Sequence, residues 1–257
     1  MHAIYQCAKP VIFAHRGASM YAPENTIAAF DLAKDQGAIA IELDTMLSQD
    51  GIPVVIHDRQ LKRTTNGSGL VDQLTYEQLS RLDAGSSFSK SFKNERIPRL
   101  EDVLIRYRDN LIINIELKNL HSSHDWLCEI VVKMVDDLEL TQSVIYSSFL
   151  PANLKKVKKI SSESKTALLF PNGLIGKVYT TFLFPGISEE FIHLNVKDIN
   201  ARRIRSEHRK NRRVHAWTVN DRKIAEQLIL IGVDGIMTDD PAALLTSRIN
   251  EIDNSDK

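Results

Sequence analysis

Apolar and polar positions along this chain change period again and again. Short β-rich runs at 11–15, 39–44, 53–57, 111–116, 143–147, 166–170, 191–195, 213–218 and 235–238 alternate with helical patterns near 25–36, 101–108, 124–138, 151–160, 174–183, 201–210, 221–231 and 241–250. Such alternation is the pattern of βα units around a parallel sheet. Nine strand candidates are one more than a closed eight-stranded barrel needs. Spacing removes the excess: eight residues separate Asp44 from Pro53, whereas a parallel crossover takes about a dozen or more. The run 53–57 therefore folds back antiparallel on an extension of the second strand. Eight parallel strands remain, the count of a (β/α)8 TIM barrel.

Within that frame, Asp50-Gly51 suits a two-residue type I′ hairpin loop. Gln49 then pairs with Ile52, and counting back sets His57 opposite Asp44 on the same face. Start signals fit the helices: Pro23-Glu24-Asn25-Thr26 precedes the first, and Pro151 and Pro241 open later ones. After His57 the rhythm breaks. Residues 58–100 hold Thr64-Thr65-Asn66-Gly67-Ser68-Gly69, a short helical patch around 75–82 and a Gly/Ser/Lys/Asn-rich run at 85–95. That is too long for an ordinary loop. Residues 45–100 are read as an insertion on the C-terminal face of one barrel domain spanning 1–257.

Composition narrows the class. Of 257 residues, 43% are hydrophobic and 26% charged, which is ordinary for a soluble globular chain. Lys and Arg total 33, as do Asp and Glu, so no global field draws nucleic acid. Cys7 and Cys128 are too few for a disulfide framework. Residues 1–7 lack the basic flank and long apolar run of a signal peptide. No apolar stretch nears the roughly 20 residues of a membrane span. The expectation is a cytoplasmic protein.

Catalytic residues of a barrel come from the C-terminal ends of its strands. Those ends read His15-Arg16-Gly17, Glu42-Leu43-Asp44, Glu116-Leu117-Lys118, Ser147-Ser148-Phe149, His193-Leu194-Asn195, Trp217-Thr218 and Thr238-Asp239. Residues two apart on a strand share a face, so Glu42, Asp44 and Glu116 converge from adjacent strands. Three carboxylates without cysteine form a hard oxygen site, suited to one Mg²⁺ or Ca²⁺ rather than Zn²⁺. Arg16 offers a planar fork for phosphate oxygens, and Lys118 adds a second cation. His15 and His57 are candidates for general acid and general base.

In this order the residues resemble the glycerophosphodiester phosphodiesterase family. The resemblance rests on His15-Arg16-Gly17, Pro23-Glu24-Asn25-Thr26, Glu42-Leu43-Asp44, His57-Asp58, Arg63-Thr64-Thr65-Asn66-Gly67, Glu116-Leu117-Lys118, Trp217-Thr218-Val219-Asn220 and the run Gly232 to Asp239 followed by Pro241. It covers about residues 11–245. It implies a TIM barrel that hydrolyses a small-molecule glycerophosphodiester, such as glycerophosphocholine or glycerophosphoethanolamine, to sn-glycerol 3-phosphate and an alcohol. It assigns proton transfer to His15 and His57, the metal to Glu42, Asp44 and Glu116, and phosphate contact to Arg16 and Lys118. A lysophospholipase D-like or sphingolipid-cleaving relative is the alternative; a barrel that binds a phosphodiester without cleaving it fits the histidine pair poorly.

Each assignment has a plainer rival. Phe149 and Trp217 are candidate walls of the substrate pocket, or packing residues. Glu24 either orients Arg16 or caps the first helix. His193 reads as a core or rim histidine before a functional one. The basic stretch 201–213 reads as a solvated helix face, with an anionic membrane surface as the sharper alternative; transient membrane contact is not the expectation. The segment 174–184 reads as a helix covering the barrel, with an apolar end able to meet lipid chains.

Overall fold

A computed structural model describes residues 6–122, 125–171, 173 and 189–245. Strands β1 (Val11–His15), β2 (Ala40–Leu47), β4 (Ile112–Leu117), β5 (Val144–Ser148), β6 (Lys165–Leu169), β7 (Phe191–Asn195), β8 (Arg213–Trp217) and β9 (Gly235–Thr238) are parallel. They close into a barrel because β1 pairs with both β2 and β9. The remaining strand, β3 (Pro53–Val55), is the antiparallel return arm on β2. Helices α1 (Ile27–Asp35), α3 (Leu100–Tyr107), α4 (Leu127–Asp137), α5 (Pro151–Ile160), α6 (Ala201–His208) and α7 (Arg222–Leu230) lie between strands, and the short α2 (Tyr76–Leu79) belongs to the insertion. The expected helix at 174–183 lies outside the described residues, as does the end of the one at 241–250. Among the described residues no helix is long and apolar enough to cross a membrane.

Alternation of side chains along β-strands sorts the core into layers. Ile41, Leu43, Ile113 and Ile115 point outward and pack on the helices, together with Phe30, Leu104 and Val131. Val11, Phe13, Ala40, Ile112, Ile145, Ala167, Phe191 and Met237 fill the barrel interior. One step toward the C-terminal end, the inward positions turn polar: Glu42, Asn114, Ser147, His193 and His215, all buried. Gly235 makes room for this layer, since a Cβ there would lie 2.7 Å from the His215 ring. The insertion carries a small core of its own, built on Met46, Val54, Ile56, Leu61, Val71, Leu79, Ala84 and Ile97.

The hairpin differs from the expected register by one residue. Thr45 pairs with Val55, Met46 with Val54 and Leu47 with Pro53, so Ile56 and not His57 comes opposite Asp44, with Ile56 N donating to Asp44 O at 3.0 Å. The loop has three residues, Gln49-Asp50-Gly51, with Gly51 alone at positive φ (+77°). A type I′ turn needs positive φ at both loop positions. Asp50 is instead held by its carboxylate, which accepts from Ser48 Oγ at 2.6 Å and from Tyr76 N at 2.9 Å. That pins the turn to the insertion. His57 follows the end of β3 and reaches the barrel mouth through a bend.

Candidate active site

The ends of β1, β2 and β4 meet the return arm at the barrel mouth. One ligand oxygen each from Glu42, Asp44 and Glu116 lies within 4.8 Å of the others. Asp44 is the most heavily supported. Its Oδ2 accepts from Asn25 Nδ2 at 2.9 Å and sits 3.2 Å from Arg16 Nε. Among the described residues its Oδ1 is buried without a hydrogen-bond partner, 3.6 Å from Lys118 Nζ. Burial opposes ionisation of Asp44, but Arg16 and Lys118 win and hold it below the usual carboxylate range. Burial and the charge of Asp44 push Glu42 above that range. Burial likewise raises Glu116 despite Lys118 at 2.9 Å. Crowded carboxylates, two of them reluctant to ionise and one with an unclaimed buried oxygen, fit a divalent cation. Glu42, Asp44 and Glu116 are the residues able to hold it.

The local backbone aims the cations. Arg16 sits at φ +56° and Gly17 at +85°, a sharp reversal that lets Arg16 N donate to Glu42 O (2.9 Å) and Glu42 Oε2 (3.1 Å). A Cβ on Gly17 would stand 2.6 Å from the carbonyl carbon of Ala29. Only glycine fits. Glu24 does not cap α1; Thr26 does, accepting from Ala29 N. Glu24 instead joins Arg16 (2.9 Å) to Arg63 (2.7 and 2.8 Å). Asn25, also at positive φ (+58°), uses its amide on Asp44. Lys118 Nζ lies 3.1 Å from His57 Nε2. Burial lowers the affinity of Lys118 for its proton, but Glu116 and Asp44 outweigh it and the lysine stays cationic.

Each histidine has a carboxylate behind it. His15 Nδ1 meets Asp239 Oδ1 at 2.6 Å, and its Nε2 faces Glu42 at 3.9 Å. Burial works against the His15 proton, yet Asp239 and Glu42 prevail and raise its pKa. His57 Nδ1 meets Asp58 Oδ1 at 2.5 Å, leaving Nε2 toward the mouth, and Asp58 is braced by Arg63. Asp239, Asp58, Asn25 and Arg63 were read in strand ends or motifs of the sequence but assigned no catalytic, phosphate or metal-binding role. All four lie within recognised motifs. Barrel closure supplies the missing signal for Asp239, because it sets the end of β9 beside β1.

A cavity of about 130 Å³ opens at this point, with His15, Arg16, Glu42, His57, Glu116, Lys118, Phe149 and Trp217 on its wall. The Phe149 and Trp217 rings meet edge to face at 5.9 Å. A larger groove of about 670 Å³ adjoins it through His57 and Lys118 and runs between the hairpin and residues 119–122 and 125–126. The structure therefore brings all the candidate side chains to one mouth, with Asp44 buried beneath. This arrangement can bind a divalent cation, hold an anion between two cations and move protons on two sides.

Comparison with known proteins agrees. Residues 15–243 match the family model described as the glycerophosphoryl diester phosphodiesterase family. YhdW of Bacillus subtilis strain 168 is 41% identical, with 93% of this chain and 98% of that one covered. A glycerophosphodiester phosphodiesterase of Caldanaerobacter subterraneus subsp. tengcongensis is 37% identical, at 92% and 97% coverage. Among solved structures, an Oleispira antarctica phosphodiesterase in complex with the product sn-glycerol-3-phosphate superposes at TM-score 0.82, with 29% identity and coverage of 92% and 96%. The chain belongs to the glycerophosphoryl diester phosphodiesterase family and is a phosphoric diester hydrolase.

Proposed function

We propose that the protein is a metal-dependent hydrolase of glycerophosphodiesters, such as glycerophosphocholine and glycerophosphoethanolamine, giving sn-glycerol 3-phosphate and an alcohol. The observation that carries this reading is the flanking of one carboxylate cluster by two histidines, each backed by an aspartate through Nδ1. The Oleispira relative that holds sn-glycerol-3-phosphate supports the product. Arg16 and Lys118 orient the phosphate and offset its charge. With Nδ1 of each ring held by an aspartate, proton transfer falls to Nε2 of His15 and to Nε2 of His57, the latter once Lys118 Nζ at 3.1 Å turns from it to the phosphate. One takes the proton of the nucleophile and the other gives a proton to the departing alkoxide, each step worth about 10²–10⁴ in rate. Glu42, Asp44 and Glu116 would hold a divalent cation, which would supply Lewis-acid stabilisation of the phosphate's developing charge.

One observation favours a second, lysophospholipase D-like reading. The large groove beside His57 carries Met46, Leu47, Leu120 and Trp126, the last two more than half exposed. A product assay over glycerophosphodiesters and lysophospholipids, with and without divalent cation, separates the two. The expected result is release of glycerol 3-phosphate from the glycerophosphodiesters, abolished by chelator and restored by Mg²⁺ or Ca²⁺. Full activity of metal-stripped protein would overturn the carboxylate assignment, and turnover confined to lysophospholipids would select the second reading.

A further inference from the structure

One side chain of the insertion supports two active-site groups at once. Arg63 ends the single turn Leu61–Arg63, whose Leu61 is fully buried in the insertion's own core. The segment that follows locks this turn. Leu61 O accepts from Thr65 N at 3.1 Å and from Thr65 Oγ1 at 2.7 Å, and Leu61 N donates to Gly69 O at 3.2 Å. From that anchor the guanidinium reaches back to the barrel. Its Nη1 and Nη2 donate to Glu24 Oε2 and Oε1 at 2.7 and 2.8 Å, and its Nε donates to Asp58 Oδ2. Beyond Glu24 stands Arg16, whose Nη1 donates to the same Oε1 at 2.9 Å. Beyond Asp58 stands His57, with Nδ1 at 2.5 Å from Oδ1. Arg63 is absent from the described residues that line the two cavities, and it reaches the mouth through these carboxylates.

A guanidinium is planar and its donors form a rigid fork. Bonds from all three nitrogens of one such plane set the spacing of Glu24 and Asp58 as well as their directions. Burial opposes ionisation of both carboxylates. Arg63 leads the influences that overcome it, lowering Glu24 and holding Asp58 down to about 2. Each therefore stays an acceptor for the group behind it. Glu24 takes one nitrogen of Arg16 while Asp44 lies 3.2 Å from another, which fixes the turn of the Arg16 fork. Asp58 fixes the turn of the His57 ring. The Arg63 side chain is 46% exposed, so packing does not account for its place.

We propose that Arg63 is a positioning residue that sets Arg16 and His57 together, so that the insertion is a working part of the active site and not only its cover. This rests on the phosphodiesterase reading, in which Arg16 meets the phosphate and His57 moves a proton.

The two arms are read separately, with Mg²⁺ in excess. Calorimetry of sn-glycerol 3-phosphate reports the Arg16 arm, and kcat for glycerophosphocholine reports the His57 arm. Arg63→Met keeps the stem and removes the fork. It should weaken product binding about tenfold and lower kcat about tenfold to a hundredfold, the scale of a small misplacement. Circular dichroism should remain native. Arg63→Lys keeps the charge, but one ammonium cannot hold both carboxylates in the fork's geometry; at least one of the two deficits should persist. Glu24→Gln should weaken binding more than it lowers kcat, and Asp58→Asn should do the reverse. Native binding and kcat in folded Arg63→Met, loss of one without the other, or recovery of both by Arg63→Lys would overturn the proposal. If Arg63→Met fails to fold, Arg63→Lys still decides. Product binding and glycerophosphocholine hydrolysis by native protein read the phosphodiesterase assignment by itself, so failure of either is recognised for what it is.

Discussion

His15 stands between two carboxylates, Asp239 behind it and Glu42 in front, and that position defines its chemistry. Asp239 fixes which nitrogen faces the mouth. Replacing it by asparagine offers Nδ1 an amide that can donate where the carboxylate only accepts, favouring the wrong tautomer. Asp239→Asn should therefore reduce kcat by on the order of 10²–10⁴, as tautomer loss does in hydrolytic triads. His15→Ala and His57→Ala should each lower kcat by about 10²–10⁴ with the fold retained. Steady-state kinetics beside circular dichroism checks all three, and near-normal turnover of a folded histidine variant would remove that residue from proton transfer. The histidines and the three carboxylates were legible from their places at strand ends. Asp239 was legible as a strand-end residue but its pairing with His15 was not, because that partner lies 224 positions away and becomes a neighbour only when β9 closes on β1.

The element that decides most is the β1–α1 turn. Arg16 and Asn25 at positive φ, with Gly17 between the strand and helix, direct two side chains onto Asp44. Gly17→Ala combines a strained φ with a Cβ 2.6 Å from Ala29 backbone, and should cost about 3 kcal/mol or more. Gly51→Ala shares the strained φ but meets nothing within 4 Å, and should cost about 1 kcal/mol. Urea denaturation of the two variants measures the difference; equal losses would show that close packing at Gly17 contributes nothing. The β2–β3 hairpin carries the opposite lesson. Asp50-Gly51 is a strong hairpin signal, yet Ser48 and Tyr76 claim the Asp50 carboxylate and convert the turn. A one-residue slip reverses every side chain of a strand, so register could not be settled by the turn pair alone.

At the scale of the whole molecule, the end of the barrel opposite the mouth is built for cohesion. Glu207, only 2% exposed, gathers Arg203 (3.1 Å), Lys210 (3.3 Å) and Arg212 (3.0 Å). Much of the basic stretch 201–213 thus serves a buried carboxylate. Its following strand starts at Arg213, so this surface lies away from the mouth. Asp234 plays the same part, with Lys9 at 2.5 Å, His208 Nε2 at 2.7 Å and Val214 N at 2.8 Å. Burial opposes its ionisation, but these partners prevail and lower its pKa. A lowered folded-state pKa gives stability that is present above the unfolded value near 3.9 and is lost as pH falls through the folded one. Asp234→Asn should therefore cost about 2 kcal/mol near neutrality, after allowing for the half-exposed Lys9. The gap from native protein should close below about pH 4. Urea midpoints across pH test this, and a pH-independent gap would show that the charge of Asp234 is not what stabilises.

Strand and helix order, the barrel count and the antiparallel return arm follow from the sequence, because periodicity and minimum crossover length are local properties of the chain. The convergence of Glu42, Asp44 and Glu116 follows too, since side-chain alternation fixes their face once adjacent strands are known. Tertiary structure alone decided the hairpin register, the pairing of Asp239 with His15, and the bridge from Arg16 through Glu24 to Arg63. Each depends on which atoms meet across the closed barrel or the insertion. Local spacing carries no information about those meetings.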